Sequence, residues 1–245
     1  MAVVSHPPRC LRGFTLVELL VVVSIVAVLA GLLMPALGSA RESARTAGCT
    51  SNLRQLGQAM VLYGREWDGR FPAGLDASDY LSPKLWVGGH PHIPDAAAIV
   101  SQLRRGQRTL PVVMRPYVAT DHLFECPSDT GTSFINLSRA PSAGSTLGAS
   151  AFEAWGTSYA YRTELGLYDR DQTDLREPAC VNVLWDMAGY WHHRYRRSTR
   201  EWDLEDKERW QYQVLWGDGH VSFASDKQLY DAWGLFTTQQ SPFRE

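Results

Sequence analysis

Four cysteines in 245 residues are too few to staple a chain that lacks a core, so this is not a disulfide scaffold. Charge of one sign is missing as well. Lys+Arg 24 against Asp+Glu 26 leave a formal −2, so no global basic footprint points to nucleic acid. No phosphate loop, nucleophile elbow or short-spaced zinc signature supports an envelope enzyme. No 12-residue EF-hand pattern occurs either. Only one long apolar run is present, which excludes a multi-span membrane protein. With 44% hydrophobic and 11% aromatic residues the chain is neither a disordered tail nor a fibre, and it is long enough to bury a core. A mean hydropathy of −0.24 conceals an uneven layout: one oily stretch, then a polar remainder that carries all the tryptophans.

The oily stretch runs from Phe14 to Leu37, 24 residues with a single charge, Glu18. At about 1.5 Å per residue such a helix reaches roughly 36 Å and spans a ~30 Å hydrocarbon core. A cleaved secretory leader has an apolar region of only about 7–15 residues. A signal-peptidase cut near Gly38-Ser39-Ala40 would instead release a soluble protein, and the length argues against it. Arg9 and Arg12 precede the stretch with no acid, whereas Arg41, Glu42 and Arg45 behind it are mixed. The positive side stays cytoplasmic, so the chain after about residue 40 is exported. Glu18 costs up to roughly 2.5–3.5 kcal/mol in the bilayer, and no Lys or Arg of its own segment neutralises it. A cation supplied by another chain would make Glu18 an assembly determinant; snorkelling to the headgroups is the alternative.

Arg12-Gly13-Phe14-Thr15-Leu16-Val17-Glu18 resembles the class III leader of type IV pilins and type II secretion pseudopilins. The resemblance implies that a prepilin peptidase cuts after Gly13 and N-methylates Phe14. It implies that the Glu18 carboxylate meets the N-terminal amine of a neighbouring subunit, and that Pro35 is a helix break. Physical chemistry agrees: a freed α-amine, with a reference pKa near 8, is largely cationic at neutral pH. Pro35 removes a helix hydrogen bond at a cost of about 3 kcal/mol unless neighbours re-satisfy the backbone.

Beyond the membrane segment the helical period becomes one-sided. Leu53, Leu56, Met60 and Tyr63 recur at spacings of three and four while Arg54, Gln55, Gln58 and Arg65 fall elsewhere. One helix from about Phe14 to Arg65 is expected, closed by Gly69 and Pro72. The run Cys49–Gly57, with Tyr63 and Phe71-Pro72, resembles a pseudopilin subgroup abundant in planctomycete-type bacteria. Further along, a helix starts at Pro94-Asp95, buries Ile99, Val100 and Leu103, and stops at Gly106. A short helix falls near Leu110–Val118, and residues 137–157 read as a loop. Strands follow at Thr157–Arg162, Val181–Met187, Tyr212–Trp216 and Val221–Ala224, the last two joined through Gly217-Asp218-Gly219-His220. A closing helix runs from Asp226 to Trp233, ended by Gly234. The fold class is α+β and pilin-like: a long N-terminal helix packed on a small antiparallel sheet. The segments are a leader (1–13), a transmembrane helix (14–38), its amphipathic continuation (39–66) and a periplasmic head (67–245).

Cys126-Pro127-Ser128-Asp129 and Gly217-Asp218-Gly219-His220-Val221 resemble two further signatures of that subgroup, whose C-terminal one is His, nine residues, Asp-Gly. Here Glu208 stands where the His would be. Asp218-Gly219 is sufficiently explained as a favoured turn pair. Asp186, Asp203, Asp206, Glu208 and Asp218 offer hard oxygen ligands for Ca²⁺, although their spacing is irregular. His192 and His193 read as surface histidines. Once the leader and Cys10 leave, Cys49, Cys126 and Cys180 allow one disulfide in any of three pairings. No His and Asn or Asp flank any of them as a nucleophile's partners would. The basic–aromatic stretch Trp191–Arg200 is diluted by Asp203, Glu205 and Asp206, so nucleic acid is not expected as a partner.

The reading is a non-enzymatic filament subunit without a required cofactor. It is anchored in the bacterial inner membrane with its N-terminus cytoplasmic. Its partners are other pilin-like subunits, the prepilin peptidase, an inner-membrane assembly platform and the lipid bilayer. A minor-pilin head that grips polysaccharide or DNA is the alternative, and an anchored envelope enzyme ranks third.

Overall fold

The computed structural model describes residues 15–81, 92–131, 150–168, 170–192, 210–237 and 241–243, and the chain divides into two compact units, Met1–Ser43 and Ala44–Glu245. Helix α1 (Leu16–Glu66) is one element of 51 residues that runs through both. In the first unit every large apolar side chain from Leu16 to Leu37 is exposed, and the helix is long and apolar enough to cross a membrane. Pro35 does not end it: α1 passes through that position as a single helical element.

The second unit begins inside α1, because the helix there has a face to bury. Cys49, Leu53, Leu56, Met60 and Tyr63, four and three residues apart, are all buried in the head core. Trp67 to Arg70 then turn the chain, with Asp68 and Gly69 both at positive φ. Small helices follow: α2 (Ala77–Leu81), α3 (Ala96–Arg105) and α4 (Leu110–Met114). Helix α3 begins after Asp95 and ends at Gly106 as expected; it buries Val100 together with Ala96, while Ile99 and Leu103 of the expected stripe are half-buried. Of the segment read as loop 137–157, residues 137–149 lie outside the described residues, and the remainder is not loop throughout. Ser150 and Glu153 form a reciprocal capping box that starts α5 (Ala151–Trp155).

Four antiparallel strands, β1 (Tyr159–Tyr161), β2 (Asn182–Asp186), β3 (Gln211–Trp216) and β4 (Val221–Ser225), form a meander in chain order. Between β1 and β2 lies α6 (Thr163–Leu167), and α7 (Asp226–Thr237) follows β4. Alternation along β3 sorts its side chains between two layers. Tyr212, Val214 and Trp216 join Trp185, Leu229 and Ala232 in a cluster under α7. Gln213 and Leu215 face α1: Gln213 bonds Thr46 and Thr50, and Leu215 fits against Gly57, where a Cβ would lie 3.0 Å from it. The sheet is therefore a middle layer between two helices, and all five residues of β2 are buried. Helix α7 continues past Gly234 to Thr237, since a lone glycine costs a helix only about 1 kcal/mol. Among the described residues Trp185, Trp191 and Trp216 are buried core, which removes them from any exposed sugar-stacking platform.

Candidate functional site

Two places collect the residues singled out above. The first is the start of α1. Thr15 precedes the helix, and its backbone N–H donates to Glu18 Oε2 at 2.9 Å while its hydroxyl donates to the same oxygen at 2.7 Å. The Glu18 N–H donates back to Thr15 Oγ1 at 3.2 Å. This is a capping box, and it gives Glu18 polar partners on its own chain that are not cations. Thr15-Leu16-Val17-Glu18 carries the Thr-x-x-Glu signature ahead of an apolar run, so the signal lay in the sequence. The partners are neutral: among the described residues the exposed carboxylate is hydrogen-bonded by Thr15 and no cation faces it. Gly13 and Phe14 lie outside the described residues.

The second place lies between α1 and the sheet. Cys49 on α1 is disulfide-bonded to Cys126 across 77 residues of sequence, and Cys180 is a free, exposed thiol. The loop behind Cys126 is held by its own signature. Asp129 accepts four hydrogen bonds, from the N–H groups of Gly131, Ala151 and Phe152 and from the Ser158 hydroxyl, at 2.7–3.0 Å. Pro127 packs where a Cβ on Gly48 would sit, and Ser128 is buried. Cys-Pro-Ser-Asp is thus a clasp that ties the loop to α1 and to the start of α5.

His192 meets the disulfide from the sheet side. Its side chain is 2% exposed and that of Asp186 0%, so neither is a surface group. The His192 Nε2 atom lies 3.0 Å from Asp186 Oδ2 and 3.8 Å from Cys126 Sγ, and Nδ1 lies 3.2 Å from Thr46 Oγ1. Asp186 Oδ2 also accepts the Gln213 N–H at 2.9 Å, while Oδ1 is buried without a hydrogen-bond partner. Burial pushes the Asp186 carboxyl above the usual carboxylate range, against the opposing pull of His192 and of the Gln213 N–H. A Cys–His–Asp relay needs acid and sulfur on different ring nitrogens. Here one nitrogen faces both, and the sulfur is already oxidised.

Of the proposed calcium ligands, the two that are described, Asp186 and Asp218, stand apart. Asp186 sits opposite Gln213, whereas Asp218 lies beyond Trp216, roughly 10 Å of strand away before the turn is counted. Asp218 serves the turn, accepting the His220 N–H at 3.1 Å beside Gly219 at φ 85°. Asp203, Asp206 and Glu208 lie outside the described residues, as does His193. A groove bordered by Tyr80, Thr109, Trp155 and Tyr161 also has Asp76 in its lining. That carboxylate is spent on the Ser78 N–H and hydroxyl and on the Tyr161 N–H.

Comparison with known proteins adds two matches. Residues 9–34 match the model of the prokaryotic N-terminal methylation motif, a stretch that holds Gly13, Phe14 and Glu18. Residues 38–186 match a family model described as Protein of unknown function (DUF1559), a stretch that holds Cys49, Cys126, Asp129 and Asp186. No curated protein and no solved structure matches the chain.

Proposed function

The chain belongs to the DUF1559 family behind a pilin-type N-terminal methylation motif, and on that footing we propose that it is a structural subunit of a periplasmic filament in a type II secretion or type IV pilus-like system. A prepilin peptidase removes residues 1–13 and methylates Phe14. Residues 14–38 then hold the chain in the inner membrane with the head in the periplasm, and an assembly platform draws the subunit into the filament. The observation that carries this reading is Glu18. It is a carboxylate at the start of an apolar helix, hydrogen-bonded by Thr15 and, among the described residues, facing no cation. The methylated amine of a neighbouring subunit supplies that charge, and bringing the pair together in lipid offsets the cost of burying either ion alone.

The test separates the cap from the charge. Glu18→Ala is expected to insert into the membrane normally and to be incorporated at least tenfold less than wild type, read by crosslinking and pull-out with wild-type subunits. Thr15→Ala, which removes the cap and keeps the carboxylate, is expected to be incorporated better than Glu18→Ala. Wild-type incorporation of Glu18→Ala removes Glu18 from the assembly mechanism.

A further inference from the structure

The pocket that joins α1 to the sheet gathers more coordinating chemistry than a structural bridge requires. The donor atoms of Cys49, Cys126 and His192 all lie within 4.8 Å of one another, and Asp186 approaches the same imidazole nitrogen as Cys126. We propose that Cys49, Cys126, His192 and Asp186 form a buried zinc-class metal centre when the two cysteines are thiols, and that the disulfide is the oxidised, metal-free form of the same site.

Geometry comes first. Zinc bonds of about 2.3 Å to sulfur and about 2.0 Å to nitrogen or oxygen place neighbouring donors of a tetrahedron about 3.5 Å (S···N) and 3.3 Å (N···O) apart. Around His192 Nε2 the structure has sulfur at 3.8 Å and carboxylate oxygen at 3.0 Å, each within a few tenths of an ångström of such an edge. The second, independent observation is Asp186 Oδ1, a fully buried carboxylate oxygen without a hydrogen-bond partner. Outer contacts are in place as well: Thr46 Oγ1 on His192 Nδ1 and the Gln213 N–H on Asp186 orient both ligands. Two thiolates and an imidazole suit a borderline or soft ion, whereas calcium takes six to eight oxygens.

The chemistry balances in both directions. The new chain carries two thiols. Uptake of one divalent ion forms two metal–sulfur bonds and releases two protons to solvent. The neutral imidazole keeps its proton by moving it from Nε2, where it faces Asp186, to Nδ1, where Thr46 Oγ1 accepts it. A disulfide oxidant acting first takes two electrons and two protons from the thiols instead, forms the S–S bond and is itself reduced to two thiols. Because the four side chains are buried, the choice is made during folding rather than in the finished head.

The test uses the full chain in detergent, unfolded in guanidinium and refolded with a phosphine reductant and either Zn²⁺ or Co²⁺. The reduced chain is expected to retain one Zn²⁺ after desalting and to give a thiolate-to-cobalt charge-transfer band with Co²⁺, and the disulfide form neither. Asp186→Asn and His192→Gln, which keep both sulfurs, are expected to bind Co²⁺ at least tenfold more weakly. Any of three results overturns the proposal. The reduced chain shows no charge-transfer band, or both variants bind Co²⁺ as tightly as wild type, or the reduced chain with Zn²⁺ fails to regain the far-UV spectrum of the disulfide form.

Discussion

At the scale of single residues, the two acids that organise their surroundings, Asp129 and Asp186, differ in what they serve. Asp129 uses both oxygens on four donors and closes the loop that carries Cys126. Asp129→Ala leaves those donors without their acceptor and is expected to lower stability by about 3 kcal/mol, read as a fall in the urea midpoint with the slope unchanged. An unchanged midpoint would remove the clasp from the account. Cys126-Pro127-Ser128-Asp129 was visible as a motif, but its work was not, because its partners come from Gly48 and from the chain beyond residue 131. Glu18 is the opposite case. Its cap partner Thr15 stands three residues away and was legible in the sequence all along. His192 reads as a surface residue in the sequence because its burial depends on α1, the disulfide and β2 meeting at one point, and no local pattern encodes that meeting.

At the scale of elements, α1 is the most legible part of the chain and its attachment the least. The spacing of Leu53, Leu56, Met60 and Tyr63 gave the buried face. It did not give the partner, which is the sheet face carrying Gln213 and Leu215. Strand existence was legible from β-branched and aromatic runs, and the Asp-Gly pair marked the β3–β4 turn. Which cysteine met Cys49 was not legible, since three thiols at large separations allow any pairing. The bridge closes a loop of 77 residues, and constraint of the unfolded chain by such a loop is worth roughly 4 kcal/mol. Cys49→Ser with Cys126→Ser is therefore expected to lose several kcal/mol of head stability in denaturant titration under non-reducing conditions. Cys180→Ser, which removes an exposed thiol, is expected to change little. Equal effects from the two would contradict the assignment of the bridge as the anchor of α1.

At the scale of the molecule, a helix whose apolar first part, Leu16 to Leu37, exposes all its large side chains continues into a head whose core is rich in phenols. Burial raises the hydroxyl pKa of Tyr159 and Tyr161 well above the ordinary value, and that of Tyr168 to about 12. In the unfolded chain these groups ionise near 10. A group with a raised folded pKa favours the fold below its unfolded value, and that contribution is lost as pH climbs through the folded one. The head is therefore expected to weaken from about pH 10 upward, with tyrosinate absorbance and loss of circular dichroism rising together. Phenols that titrate near 10 with the fold intact would contradict this. The exposed apolar segment is long enough to cross a membrane and lies within the N-terminal methylation motif match, which is where the proposed function starts. The most direct test is the mass of the N-terminus isolated from the native membrane. The account predicts a chain that begins at Phe14 and carries one N-methyl group; a chain that retains Met1, or one that begins near Arg41 without the apolar helix, would contradict it.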